Sequence, residues 1–307
     1  MSKKIKIPLL VLIVLILVVV IGYHPVKPTR LVYTLPPSEL PEKSWDEILN
    51  SSPLIDQFKV LNTGSVKVPL SGMLNTDKLS ETHDLKEFLW VDVFVFLFHH
   101  TDRGWFMIDT GLDSTFQEDG NIKGFLATNF IIESKQQKSQ NIAAQLKREN
   151  KDVKGIFFTH LHGDHTAGLP ELNSSIPKYI GKGEEYLDIP LLYHANHLTS
   201  NSQLIELDWS QGIDKLPFSR VIDIFGDGSI LGVHTPGHST SHLSYLLMTS
   251  DGPKLLTGDA SHTRYGFINN IEPGWVDDQL SAENSLAQLV EFHEMFPNVE
   301  VIYGHQR

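Results

Sequence analysis

Apolar runs of strand length that stop on a histidine or an aspartate constrain this chain more than any other feature. VKGIFF runs into THLHGDHTAG (159–168), SILGV into HTPGHS, KLLTG into Asp259, and VEVIYG into His305. A rigid sheet edge can hold side chains from remote sequence positions to within about half an ångström, which loops alone seldom manage. Four strand ends that each deliver a metal-type side chain therefore predict a sheet-based fold with one shared site along its edge. In extended backbone, residues i and i+2 point the same way, so His160 and His162 can share one cation. Asp164 and His165 then turn toward a second position. Two cations a few ångströms apart repel each other, and Asp259 is the carboxylate suited to bridge them.

The remaining patterns are those of strands with a few helices. FKVLN, VDVFVFLF (91–98) and GWFMIDTG (104–111) predict strands, the second so continuously apolar that both its faces are expected to be covered. VIDIFG, HLSYLLM and KLLTGD follow as further strands, parted by Gly, Asp and Pro turns. KSQNIAAQLKREN predicts a helix with Ile142, Ala143 and Leu146 on one face. DDQLSAENSLAQLVEFHEMFP predicts another, with Leu286, Leu289, Val290, His293 and Phe296 at helical spacing, after an Asp N-cap and before Pro297. From His24 to Pro53 six prolines read as an extended spacer. Within it Ser44 and Glu47 have capping-box spacing for one short helix, the alternative being a chance match in a linker.

The N-terminus carries 17 uncharged, overwhelmingly apolar residues from Ile7 to Tyr23. As a helix that run is about 25 Å long, and Ile5 with a snorkelling Lys6 brings it near the roughly 30 Å of membrane hydrocarbon. It is expected to be an uncleaved transmembrane anchor. A cleaved signal peptide is the rival, but the run is long for one and no A-x-A site follows. Lys3, Lys4 and Lys6 ahead of it put the N-terminus in the cytoplasm, giving a single-pass membrane protein whose body is periplasmic or extracellular. The expected division is 1–23 as cytoplasmic tip and anchor, 24–56 as spacer and 57–307 as the catalytic domain. The first 23 residues hold three of the 25 basic side chains and none of the 37 acidic ones, so 24–307 carries a formal charge of −15. Such a body argues against nucleic-acid binding. With no cysteine, thiolate ligands, disulfides and cysteine nucleophiles are excluded, and any soft-metal site is built from His, Asp and Glu.

H160-x-H162-x-D164-H165, TPGH at 235–238, GD at 258–259, GH at 304–305 and IDTG at 108–111 together resemble the metallo-β-lactamase superfamily, from about Phe58 to the C-terminus. The resemblance implies an α/β fold, the αβ/βα sandwich, preceded here by the anchor helix. It implies that His160, His162 and His238 hold a first metal and Asp164, His165 and His305 a second, with Asp259 between them and Asp109 positioning the histidine loop. It also implies hydrolysis: two cations sharing a water lower its pKa enough to present a bridging hydroxide near neutral pH. The donor set favours two Zn2+, with Mn2+ or Fe2+ as alternatives.

Within the superfamily VLNTGSVKVPLSGMLN, IDTGLD, GNIKGFLATNFIIES, HLHGDHTAG, TPGHSTSH and LLTGDASHTRYGF are similar to the quorum-quenching lactonases. That similarity implies a small-molecule acyl substrate, an N-acyl homoserine lactone or a related ester or lactone. A phosphodiesterase or thioesterase of the same fold is the alternative, followed by a non-catalytic metal-binding sensor. Those lactonases typically carry a tyrosine after DAS that contacts the substrate oxygen. This chain has His262 there and Tyr265 three positions later, so both are candidates for that contact, and Asp164 is one for returning a proton to the leaving alkoxide. The run 181–218, with Tyr186, Leu191, Leu192, Tyr193, Trp209 and Phe218, reads as an apolar pocket wall or as a packed insertion. A phosphodiester would call for a cation near the metals, with Arg264 and Lys182 as candidates. His234 and His242 read as supporting or strand residues, and His99, His100, His194 and His197 as surface residues.

Overall fold

The computed structural model describes residues 27–80, 84–118, 120, 122, 133–186 and 197–306. In chain order these form β1 (Thr29–Tyr33), α1 (Trp45–Leu49), β2 (Ile55–Pro69), α2 (Leu70–Met73), β3 (Phe88–His100), β4 (Gly104–Ile108), β5 (Glu133–Lys135), α3 (Ile142–Arg148), β6 (Val153–Phe157), α4 (Gly163–Thr166), β7 (Lys178–Gly181) and β8 (Gln203–Leu207). The second half adds β9 (Ile213–Lys215), β10 (Phe218–Asp223), β11 (Ile230–His234), β12 (Leu243–Thr249), β13 (Gly252–Leu256), α5 (Arg264–Ile268), α6 (Gln279–Met295) and β14 (Glu300–Ile302).

Hydrogen bonding orders the strands β1-β8-β7-β6-β4-β3-β2-β12-β11-β10-β9, with β13 and β14 continuing from β12 and β5 beside β2. The two halves join where Thr249 of β12 lies opposite Ile55 of β2. They then face each other, because strand side chains alternate between faces. Phe94, Phe96 and Phe98 of β3 meet Leu243, Tyr245 and Leu247 of β12 in one central cluster. Val95 and Leu97 point the other way, against Ile142 and Leu146 of α3. On the far side Leu246 and Leu255 pack under Trp45, Leu286, Leu289 and Phe292, from α1 and α6. The result is helix, sheet, sheet, helix: the αβ/βα sandwich. It also explains why VDVFVFLF shows no polar alternation, since both of its faces are covered. Each fully buried Phe or Leu contributes roughly 1.5–3 kcal/mol over an exposed one.

Local chemistry sets the helix ends. Asp278 caps α6 by accepting from the Ser281 N–H, and α6 stops at Met295, before Pro297. Ser44 and Glu47 form the full capping box on α1. Within the proline-rich stretch β1 lies on the domain, pairing in parallel with β8, from Thr29 opposite Gln203 to Tyr33 opposite Leu207. Trp45 and Ile48 of α1 are buried in the outer cluster.

One expectation is corrected. Among the described residues no helix is long and apolar enough to cross a membrane, so the reading of a single-pass membrane protein with an outward-facing catalytic domain finds no spanning element in this structure. The apolar run from Ile7 to Tyr23, on which that reading rested, lies outside the described residues.

Candidate metal centre

Strand β6 delivers the first ligand-type side chains. After β6 the chain bends at Thr159 and is extended again at His162, at φ −69° and ψ 162°, and the single turn of α4 then carries Asp164 and His165. Asp109, just past β4, fastens this loop from behind. Its φ of +60° is a left-handed conformation that non-glycine residues rarely adopt. Three hydrogen bonds to its carboxylate hold it there: from Thr159 N at 2.8 Å, Thr159 Oγ1 at 2.9 Å and His165 Nδ1 at 2.8 Å.

The other strand ends converge on the same point. His238 follows β11, Asp259 follows β13 and His305 follows β14. His238 Nε2 lies 3.2 Å from His160 Nε2 and 3.0 Å from His162 Nδ1. His165 Nε2 is 3.7 Å from Asp164 Oδ2, and His305 Nε2 is 3.5 Å from it. Asp259 Oδ2 is 3.4 Å from His165, 3.4 Å from His238 and 3.3 Å from His305. His160, His162 and His238 form one compact group, and Asp164, His165 and His305 a second. Asp259 adjoins both.

The tautomers show that this donor set fits a divalent metal. The Asp109 carboxylate fixes the hydrogen on His165 Nδ1, which leaves Nε2 buried and without a hydrogen-bond partner. The Asp92 carbonyl likewise takes the hydrogen of His305 Nδ1 at 2.8 Å. In the neutral rings the two Nε2 lone pairs would face carboxylate oxygens, which is stable only with positive charge between them, a proton in the bare cluster or a metal ion in its place. Two ligands about 2.0–2.1 Å from one tetrahedral ion sit roughly 3.3 Å apart, close to the separations seen here.

The electrostatics agree. Burial holds His160 and His238 well below their ordinary pKa, so both remain neutral donors. At His165 and His305 burial also lowers the pKa, but the surrounding carboxylates together outweigh it, Asp259 foremost, with Asp109 and Asp164 at His165 and Asp164 at His305, taking His165 well above the usual range and His305 up to about 9. Burial raises the Asp259 pKa, yet His305 and His165 hold it far below the carboxylate range. The cluster is built to surround positive charge.

Several supports escape sequence reasoning. Glu184 is fully buried, and its carboxylate accepts from Leu161 N at 3.3 Å, Ser239 Oγ at 3.0 Å and Ser241 N at 2.8 Å. It thus ties the His160–His162 loop to the loop that carries His238. Glu184 in GKGEEY has no motif spacing, so nothing local announces it. His242 accepts from Asp259 N at 2.9 Å through Nε2, and its Nδ1 faces Thr235 Oγ1 at 2.9 Å, a supporting role in line with its sequence reading. Gly304 is required by close approach, since a Cβ there would lie 2.6 Å from Asp259 Oδ1.

The other candidates separate. His262 joins the cluster, with Nε2 3.1 Å from Asp259 Oδ2. Tyr265 packs beside the apolar group of Leu70, Met73 and Leu74. Lys182 pairs with Asp208 at 2.7 Å, and Arg264 is exposed at the start of α5. The pocket-wall reading is not supported for Phe218, which is buried against Trp45 and Phe292, nor for Trp209, which stacks on His234 at 4.5 Å. Leu191, Leu192, Tyr193, His194 and most of GNIKGFLATNFIIES lie outside the described residues. His100 and His197 are buried rather than superficial: His100 Nε2 meets Asp227 at 3.1 Å and His197 Nδ1 meets Thr166 Oγ1 at 2.8 Å.

A two-sheet sandwich with this cluster at its strand ends defines a metal-binding α/β protein. A profile of the metallo-beta-lactamase superfamily matches residues 89–305, and the chain belongs to that superfamily. It is 28% identical over 244 residues to an N-acyl homoserine lactonase of a Bacillus species, covering 76% of this chain and 88% of that protein. Among solved structures it is similar to a quorum-quenching N-acyl homoserine lactone lactonase, with a TM-score of 0.63 and 21% identity over 83% of this chain and 94% of that one. It is also similar to a dizinc quorum-quenching lactonase in complex with its product, with a TM-score of 0.52 and 13% identity over 83% and 92%.

Proposed function

We propose that this protein is a dinuclear metal-dependent hydrolase that opens an acyl lactone, an N-acyl homoserine lactone or a close chemical relative. One observation carries the reading: seven donor side chains from four strand ends form two adjacent groups of three, with Asp259 beside both, in a chain related over most of its length to an N-acyl homoserine lactonase. His160, His162 and His238 would hold one metal, Asp164, His165 and His305 the other, and Asp259 both. Zinc is the metal we propose, from the His and carboxylate donors and from the dizinc lactonase of the same fold. When bound, such a pair lowers the pKa of water and polarises an acyl carbonyl.

The chain's own residues do the rest. Asp109 keeps His165 in the tautomer whose Nε2 is free, and Asp92 does the same for His305 through its carbonyl. Asp164 is more exposed than Asp259, with side-chain exposures of 22% and 5%, which supports a second role as proton donor to the leaving alkoxide. Residues 57–307 form the catalytic unit in this reading, with β1 and α1 laid along it.

A phosphodiesterase would call for a cation beside the cluster, and Lys182 is committed to Asp208. The full chain, loaded with zinc, is expected to open acyl homoserine lactones with about two metals bound, and Asp259→Ala to abolish both activity and full metal loading. Turnover of phosphodiesters or thioesters alone would overturn the proposal.

A further inference from the structure

His262 sits between the Asp259 turn and α5, 5% exposed, in a loop pinned by the His305 N–H, which donates to the His262 carbonyl at 3.0 Å. Its Nδ1 lies 3.1 Å from the carbonyl of Met73, the last residue of α2. A carbonyl only accepts, so Nδ1 carries a hydrogen, and Nε2 is the ring nitrogen that faces Asp259. That approach, at 3.1 Å, is the shortest of the five histidine contacts to Asp259 Oδ2, the others being 3.3, 3.4, 3.4 and 3.8 Å. His262, His238 and Asp259 each offer a ligand atom within 4.8 Å of the others. This is the arrangement that identifies His165 and His305 as metal donors: one ring nitrogen anchored to a protein oxygen, the other aimed at the shared carboxylate.

We propose that His262 is an eighth metal-binding side chain, holding an ion together with His238 and Asp259. The inference rests on the dinuclear reading above and deepens it. A ligand here changes the chemistry of the site in two ways. The ion nearest His238 gains a protein donor, so it is retained more tightly, and one coordination position otherwise open to water or substrate is filled. The competing possibility is a His262 imidazolium that ion-pairs with Asp259 and contributes nothing to metal binding.

The test counts ligands directly. The full chain is loaded with 113Cd, and couplings between ring protons and the metal are recorded by NMR, with the His262 signals assigned from the spectrum that His262→Phe lacks. Six coupled histidine rings, His262 among them, are expected. Metal dissociation constants from chelator competition should rise by at least about tenfold in His262→Phe for one of the two ions. Two bound ions with five coupled rings and no coupling to His262 would overturn this inference and leave the dinuclear reading standing. A chain that takes up fewer than two ions would overturn both. If the variant does not fold, the number of coupled rings in the wild-type spectrum, six against five, still decides the matter.

Discussion

A single buried carboxylate shows how much of a metal site lies outside its ligands. The Glu184 carboxylate accepts from Leu161 N, Ser239 Oγ and Ser241 N rather than from the seven donors, and these three hydrogen bonds lock the loops that carry His160, His162 and His238 into one unit. Arg30 of β1 steadies the same segment, donating to the Glu184 carbonyl at 2.7 Å and to Glu206 Oε1 at 2.9 Å. Burial pushes the Glu184 carboxyl up to about 7 despite those hydrogen bonds. Removing it in Glu184→Ala leaves buried donors unmatched, at a cost of about 1–3 kcal/mol in folding stability. It also frees the loops, so metal affinity is expected to fall about 10- to 100-fold, as when a ligand's support is lost elsewhere. Chelator competition and urea unfolding measure the two effects. Glu184→Gln, which keeps one acceptor oxygen, should fall between wild type and Ala. Undiminished metal affinity in the Ala variant would show that the two loops hold their places without it.

At the scale of elements, α1 is the sharpest test of how far the packed unit extends. Trp45 meets Phe292 edge-on at 4.9 Å and Phe218 at 5.9 Å, and its Nε1 donates to the Leu216 carbonyl at 2.7 Å. Trp45→Ala is therefore expected to cost about 3–5 kcal/mol, read from the denaturant midpoint, whereas a Trp on a free spacer would cost almost nothing. The capping box of α1 was legible because it is local, three residues apart in SWDEIL. β1 was not: TRLVY sits among prolines, and its register comes wholly from β8, more than 170 residues away. The same distinction runs through the site. Histidines and aspartates that end apolar strands stand out because strand period and ligand type coincide at one residue. Glu184 and the Met73 carbonyl act through partners that no spacing reveals, and the fates of Trp209 and Phe218 depended on which sheet face they would meet.

For the molecule as a whole, the coupled histidines tie stability and metal uptake to pH with opposite signs at different groups. Burial lowers the pKa of His160 and His238 strongly, that of His234 to about 4 and that of His242 to about 3. Below about 6.5 the unfolded chain binds protons at these positions that the folded chain refuses, so their stabilisation is present above that pH and is lost as pH falls. Glu184, raised to about 7, works the other way, its contribution present below about 4.5 and lost as pH climbs through 7. With His162, also lowered by burial, five lowered histidines outnumber the raised His165, His305 and Glu184, and the metal-free chain should lose stability on acidification from 6.5 to 4, at up to about 1.4 kcal/mol per pH unit for each excess proton. His165 and His305 dominate metal uptake instead. Asp259 keeps a proton on His305 up to about pH 9, and a metal must displace it. Zinc affinity should therefore keep rising from pH 7 to 9 rather than levelling above the ordinary histidine pKa, with protons released on binding at pH 8. Calorimetry in buffers of different ionisation enthalpy counts those protons directly. A pH-independent affinity above 7, with no protons released, would mean that the bare cluster does not store positive charge on His305.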